Sequence, residues 1–144
     1  MTIKIKRLNE AAKLPTYTHG PESDAGMDLR SIEDVTIAPG QTYAVATGLA
    51  IELPPGFEAQ VRPRSGLAFK HSITVCNAPG TIDPSYRGEI KVILHNLGQH
   101  AFVIQPGDRI AQMIVARYEA IEWQESDLGA SNRGEAGFGS SGVK

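Results

Sequence analysis

Apolar residues recur along this chain at every second position. In TYAVATGLAIEL, Tyr43, Val45, Thr47, Leu49, Ile51 and Leu53 fall on one side of an extended strand. A helix would scatter that set around its axis, because its period is 3.6 and not two. Ile3 and Ile5 alternate with Lys4 and Lys6, as do Phe57, Ala59 and Val61 in FEAQV, and Ile90, Val92 and Leu94 in EIKVILHN. RIAQMIVARY is apolar on both sides, the pattern of a strand covered on both faces. Turn signals lie between these runs: APG, PPG, LGQ and QPGD. Many short strands with Gly/Pro punctuation predict an all-β sandwich or barrel. One short helix is expected in SGLAFKHS, just after Pro63-Arg64, with Ser65 as its cap.

The 144 residues suit one domain with a modest core. A formal net charge of −2 leaves no broad basic face for nucleic acid, so any anion site must be local. The single cysteine, Cys76, excludes an intrachain disulfide and fits a reducing compartment. In ITVCNA it reads as a half-buried strand residue. MTIKIKRLNE has no apolar signal core, and no run reaches membrane-spanning length. The expectation is a cytoplasmic protein with neither nucleic-acid nor membrane partners. From about Glu125 the chain turns Gly/Ser-rich, which divides it into a core, 1–124, and a mobile tail, 125–144. Composition alone makes that tail a frayed end, yet Arg133 and Phe138 are odd choices for a linker. Its GFGSSG spells G-x-G-x-x-G, but the strand-to-helix context of a dinucleotide loop is absent.

Three stretches carry chemistry. In PRSGLAFK, Arg64 offers a planar fork for phosphate oxygens, and Ser65, Gly66 and Leu67 offer free amides at a helix start. The competing reading is a capped helix beside a solvated arginine. In NAPGTIDPSYRGEIK, a turn near Pro84 sets Asn77 across from Lys91 in a hairpin able to wrap a flat base. Its edge groups and the Asn77 amide suit the acceptor–donor–acceptor edge of uracil and leave unpaired groups against cytosine. Tyr86 can pack against a sugar and exclude a 2′-hydroxyl, and Asp83 can take a proton from water. The alternative is an Asp-Pro turn with a cross-strand tyrosine. AGMDLRS carries Asp28 among apolar residues, and GDRIAQMI carries Asp108 and Arg109, read as a buried loop-holding pair, then Gln112 on a strand. Asp24 reads as a solvated turn residue. The four histidines, His19, His71, His95 and His100, lack metal-ligand spacing and read as surface or strand residues. There is no G-x-x-x-x-G-K-[ST] loop, and no Ser–His–Asp arrangement follows from spacing.

Five segments in this order, AGMDLRS, PRSGLA, GTIDPSYRGEI, GDRIAQMI and RGEAGFGSSG, resemble the trimeric deoxyuridine triphosphatase (dUTPase) family over most of the chain. Pro84-Ser85 stands where that family often has an acidic residue, and Ser141 where threonine is frequent. The resemblance implies a distorted jelly-roll subunit in a homotrimer with sites at the subunit interfaces. It implies hydrolysis of dUTP to dUMP and pyrophosphate with Mg²⁺, which limits uracil in DNA and supplies dUMP for thymidylate synthesis. By the same resemblance, Asp83 activates the water that strikes the α-phosphorus. Asn77, the backbone of Gly80, Thr81, Ile82 and Asp83, and Lys91 read uracil, while Tyr86 stacks under deoxyribose. Arg64, Ser65, Gly66 and Gln112 hold the phosphates, and Asp28 organises the site through metal-bound water, with no direct protein ligand to the metal. Arg133 and the amides of Gly139, Ser140 and Ser141 close over the γ-phosphate, and Phe138 covers the base. A deoxycytidine triphosphate deaminase resembles the same fold and is the second enzyme reading. A nucleotide-sensing module without catalysis is the third.

Overall fold

A computed structural model describes residues 1–143. The alternating segments form eleven strands and one helix. In chain order the strands are β1 (Lys4–Arg7), β2 (Met27–Arg30), β3 (Val35–Ile37), β4 (Thr42–Ala46), β5 (Leu49–Glu52) and β6 (Phe57–Arg62). The helix α1 (Ser65–His71) follows, then β7 (Ile73–Val75), β8 (Gly80–Ile82), β9 (Lys91–Asn96), β10 (Phe102–Ile104) and β11 (Arg109–Arg117). Neighbours run β2-β11-β6-β8 in a four-stranded sheet and β4-β9-β7 in a three-stranded one, with two-stranded pairs β1-β5 and β10-β3. Every strand pairing is antiparallel. This is the all-β, distorted jelly-roll sandwich expected, with one short helix after Pro63-Arg64.

The apolar sets of the alternating strands meet in one core. Leu29, Ala59, Val61, Ala111 and Met113 come from the four-stranded sheet, and Val45, Ile73, Val75, Val92 and Leu94 from the three-stranded one. Fully burying one such aliphatic side chain is worth about 1.5–3 kcal/mol, so the shared seam is what holds the sheets together. The strand β11 lies between β2 and β6; Ile110, Ala111 and Met113 are buried, while Ile114 and Val115 are half-buried, so its cover is incomplete.

Four local expectations are corrected. The run from Tyr43 to Leu53 is two strands, because the chain turns a corner at Thr47-Gly48, where Gly48 has φ +68°. Thr47 keeps the alternation by burying its hydroxyl, which donates to the Ile90 carbonyl at 2.6 Å. Ser65 is the first residue of α1 and not its cap; Arg64 holds the N-cap position without a side-chain hydrogen bond to the helix. Cys76 is exposed, just past the end of β7. Asn77 and Lys91 are not opposite each other. The ladder of β7 with β9 pairs Val75 with Leu94 and ends with the Cys76 N–H on the Ile93 carbonyl, one residue off that register. The strand β8 then leaves to pair with β6.

Beyond β11 the Tyr118 N–H donates to the Gly56 carbonyl at 3.1 Å, the last hydrogen bond to the body. From 119 to 143, the hydrogen bonds of the described residues are local turns among themselves.

Candidate active site

Two clefts gather most of the expected residues. The first has a volume of about 590 Å³ and is lined by Asn77, Gly80, Thr81, Ile82, Tyr86 and Lys91, with Ala44, Val61, Glu89, Ile90 and Ile93. It opens where β8 meets β9 and β4. Pairing of Gly80 with Val61 brings the backbone close: a Cβ on Gly80 would lie 3.2 Å from Asn77 Nδ2 and 3.3 Å from Val61 Cβ. Tyr86 is held at both ends. Its N–H donates to the Asp83 carbonyl at 3.1 Å, and its phenol donates to the Glu89 carbonyl at 2.9 Å. Glu89, which the sequence reading passed over, accepts the Gly48 N–H at 2.9 Å, tying this loop to the β4–β5 corner. Asp83 follows β8 directly and is exposed; it lines neither cleft, although its neighbour Ile82 lines the first.

The second cleft has a volume of about 440 Å³ and is cationic. Asp28, Arg64, Ser65, Gly66 and Gln112 line it, joined by Thr18, His19, Asp24, Arg62 and Arg109. Asp28, with a side chain only 11% exposed, sits at its centre. Its carboxylate faces Arg64 Nε at 3.2 Å and Arg109 Nη1 at 3.4 Å, and accepts the Thr18 hydroxyl at 2.8 Å. One carboxylate thus orients two guanidinium forks. Gln112 pairs with both Asp28 and Arg62 across the sheet, and its amide donates to the Pro63 carbonyl at 2.9 Å. A Cβ on Gly26 would fall 2.5 Å from Gln112 Oε1, so glycine there makes room for the amide.

Charges in this cleft differ from the sequence reading in two ways. Asp108 does not pair with Arg109: its carboxylate accepts the Gln105 N–H at 2.8 Å, while Arg109 turns to Asp28. Adjacent residues on an extended chain point to opposite faces, which separates the two. Asp24 is not merely solvated. It accepts the His19 N–H at 2.6 Å and faces His19 Nδ1 at 3.1 Å. The backbone hydrogen bond from His19, then the ring contact, hold its carboxyl below the ordinary value of 3.8. Arg62, Arg64 and Arg109 against Asp24 and Asp28 leave one positive charge in excess, which suits an anion. Arg62 was missed because an isolated arginine in a strand resembles a solvated face, and Arg109 because its neighbour Asp108 is a ready partner for it in the sequence. The in-register pairing of Arg62 with Gln112 is the signal that finds the first.

The two clefts have separate walls on the four-stranded sheet. Val61 lines the first and Arg62 the second, and successive side chains on a strand leave by opposite faces. No described residue lines both. Neither cleft contains the tail residues Arg133, Phe138, Gly139, Ser140 and Ser141. Arg133 Nε donates to the Ala136 carbonyl at 2.7 Å, and Phe138 is fully exposed with φ +49°. Among the described residues, no three His, Cys, Asp or Glu side chains cluster to hold a metal, and no helix is long and apolar enough to cross a membrane.

The sequence matches the dUTPase family over residues 12–142. It is 65% identical over 142 residues to the deoxyuridine 5'-triphosphate nucleotidohydrolase of Solibacter usitatus, covering 99% of this chain and 97% of that one. It is 57% identical over 145 residues to the protein of that name from Rickettsia felis, covering 98% and 97%. The fold superposes on the dUTPase of Staphylococcus bacteriophage 80alpha with dUPNHPP at a TM-score of 0.91 and 27% identity, covering 99% of each chain. A dUTPase of S. aureus phage phi11, described as coordinating a structural Mg(II) ion, matches at 0.82 and 22% identity, over 89% of this chain and 98% of that one. With one family spanning the segments that build both clefts, this chain belongs to the dUTPases.

Proposed function

We propose that this protein hydrolyses dUTP to dUMP and pyrophosphate, at sites completed between subunits of a homotrimer. The observation that carries the reading is the pair of complementary clefts, one with room for a base and walled by Ile82, next to the exposed Asp83, the other cationic. The enzymatic name of the relatives supports the same substrate. Asn77, the backbone of Gly80, Thr81 and Ile82, and Lys91 meet the uracil edge. Cytosine presents a donor where uracil has an acceptor, and the unpaired groups disfavour it. Tyr86 packs under deoxyribose.

Asp83 holds a water, takes its proton and aims the oxygen at the α-phosphorus, with pyrophosphate leaving opposite. Arg64, the amides of Ser65 and Gly66, and Gln112 bind the triphosphate. Asp28 orients Arg64 and Arg109, the charged groups that meet the phosphates. This donor set fits Mg²⁺ carried on phosphate oxygens and waters, since Asp28 already serves three partners and no acidic cage surrounds it. Bound there, the ion neutralises phosphate charge. The chain divides into a core, 1–124, and a tail, 125–144, that closes on the bound nucleotide. Arg133 and the amides of Gly139, Ser140 and Ser141 meet the γ-phosphate, and Phe138 covers the base. Ordering the tail costs about 1–2 kcal/mol per residue, so closure follows substrate.

The test is pyrophosphate release from dUTP, dTTP, dCTP and UTP, with and without Mg²⁺, beside ammonia release. Release from dUTP alone, dependent on Mg²⁺, is expected. Ammonia from dCTP would replace this reading with the deaminase. Asp83→Asn should keep nucleotide affinity and lower kcat by at least about 10³-fold, at the upper end for loss of one general base. Near-normal turnover by that variant would remove Asp83 from its role.

A further inference from the structure

The rim of the cationic cleft carries a histidine that the reaction above does not use. His19 lines the same cavity as Arg64, Arg109 and Ser65. Its backbone and its ring are fixed by one carboxylate: Asp24 accepts the His19 N–H at 2.6 Å and faces Nδ1 at 3.1 Å. The turn beneath is closed by the Ser23 and Asp24 N–H groups on the Gly20 carbonyl, at 3.1 and 3.0 Å. With Nδ1 engaged, Nε2 is the ring's free nitrogen. The ring remains 74% exposed, so the free edge is open to a ligand.

A neutral imidazole that donates Nδ1–H to a carboxylate has only a lone pair at Nε2. That lone pair repels phosphate oxygen. A protonated ring donates from both nitrogens, one to Asp24 and one to the anion. The charged groups facing it are Asp24 in its own turn, Asp28 on β2, Arg62 on β6, Arg64 before α1 and Arg109 on β11. Asp24 is one acceptor for an imidazolium N–H, and a bound polyanion supplies a second. Bound triphosphate adds several negative charges where the free cleft has one excess positive charge. We infer that His19 is a further substrate-binding residue, which takes up a proton to bridge Asp24 and the triphosphate and so couples affinity to pH. This rests on the nucleotide reading above.

The experiment measures KM and kcat for dUTP at saturating Mg²⁺ between about pH 6 and pH 8, the interval in which an imidazole ordinarily titrates. Full-length wild type is compared with His19→Gln, whose own profile records what the nucleotide's ionisation contributes. Wild-type KM should rise about five- to tenfold more than that of the variant across this interval, with kcat within about twofold throughout. Superimposed KM profiles would overturn the inference. An independent readout follows the His19 ring protons by NMR, with and without the imido analogue dUPNHPP. The titration midpoint should move upward on binding, and an unmoved midpoint with the analogue bound sinks the inference. Failure of wild type to bind the analogue at all would instead sink the nucleotide reading, and this inference with it. Asp24→Asn should weaken the bridge and move the rise in KM to lower pH; an unmoved rise would remove Asp24 from it.

Discussion

Gly88 has no left-handed φ, so its backbone does not demand glycine. Space does. A Cβ there would lie 2.5 Å from the Tyr86 hydroxyl and 2.6 Å from its Cζ, inside a rigid ring that cannot bend away. The ring is also tied by its phenol to the Glu89 carbonyl. Gly88→Ala must therefore swing the ring off its seat. If Tyr86 excludes a 2′-hydroxyl, the variant should lose selectivity for dUTP over UTP by about tenfold, the scale of roughly 1.4 kcal/mol in differential contact. Thermal stability should change little, because residues 86–89 lie on the surface loop. The measurement is the ratio of kcat/KM for the two nucleotides. An unchanged ratio would mean that the tyrosine's position does not set sugar choice. At this scale the sequence was informative about residue type and mute about orientation. It pointed to Tyr86 but not to Gly88 as its seat. It paired Asp108 with Arg109 because they are neighbours, whereas Arg109 reaches across the sheet to Asp28.

Period two fixed the strands because a half-buried extended chain can satisfy it in only one way. The alternation hid the corner at Gly48, since Thr47 is as buried as Val45 and Leu49. A hydroxyl that finds a carbonyl partner passes for an apolar residue in the pattern. Partner choice was the least legible feature: nothing local in GTI says that β8 crosses to β6, because that ladder joins residues about twenty apart. The Gly48 corner nonetheless matters to the site. The Gly48 N–H holds Glu89, and the Leu49 carbonyl accepts the Ile90 N–H at 2.7 Å, so β5 positions the loop that carries Tyr86. Gly48→Ala meets φ +68° and sets a methyl 2.9 Å from Ala12 Cβ and 3.2 Å from Ile32 Cδ1. Together these should cost about 2–4 kcal/mol, from backbone strain and overpacking. Urea unfolding followed by circular dichroism should give a lower midpoint with an unchanged slope. A midpoint equal to wild type would show that the corner relaxes without loss.

For the whole molecule, the deciding fact is that the two clefts share no lining residue among those described. The base cleft is built around β8 and the cationic one around β2 and the start of α1, so base and phosphates meet different walls of a chain. In the proposed homotrimer, a second copy would bring its cationic cleft to the first copy's base cleft. Asp83→Asn and Arg64→Ala, each near background alone, should then complement each other. When equal amounts are unfolded and refolded together, each site draws its Asp83 and its Arg64 from different chains. Half of the first and half of the second are intact, so about one quarter of sites should be whole in a closed symmetric assembly. Sites contained within one chain would give none. The mixed sample should therefore recover about a quarter of wild-type turnover, with sedimentation checking that the oligomer re-forms. Background activity from correctly assembled mixed oligomers would place both residues in a site built by a single subunit.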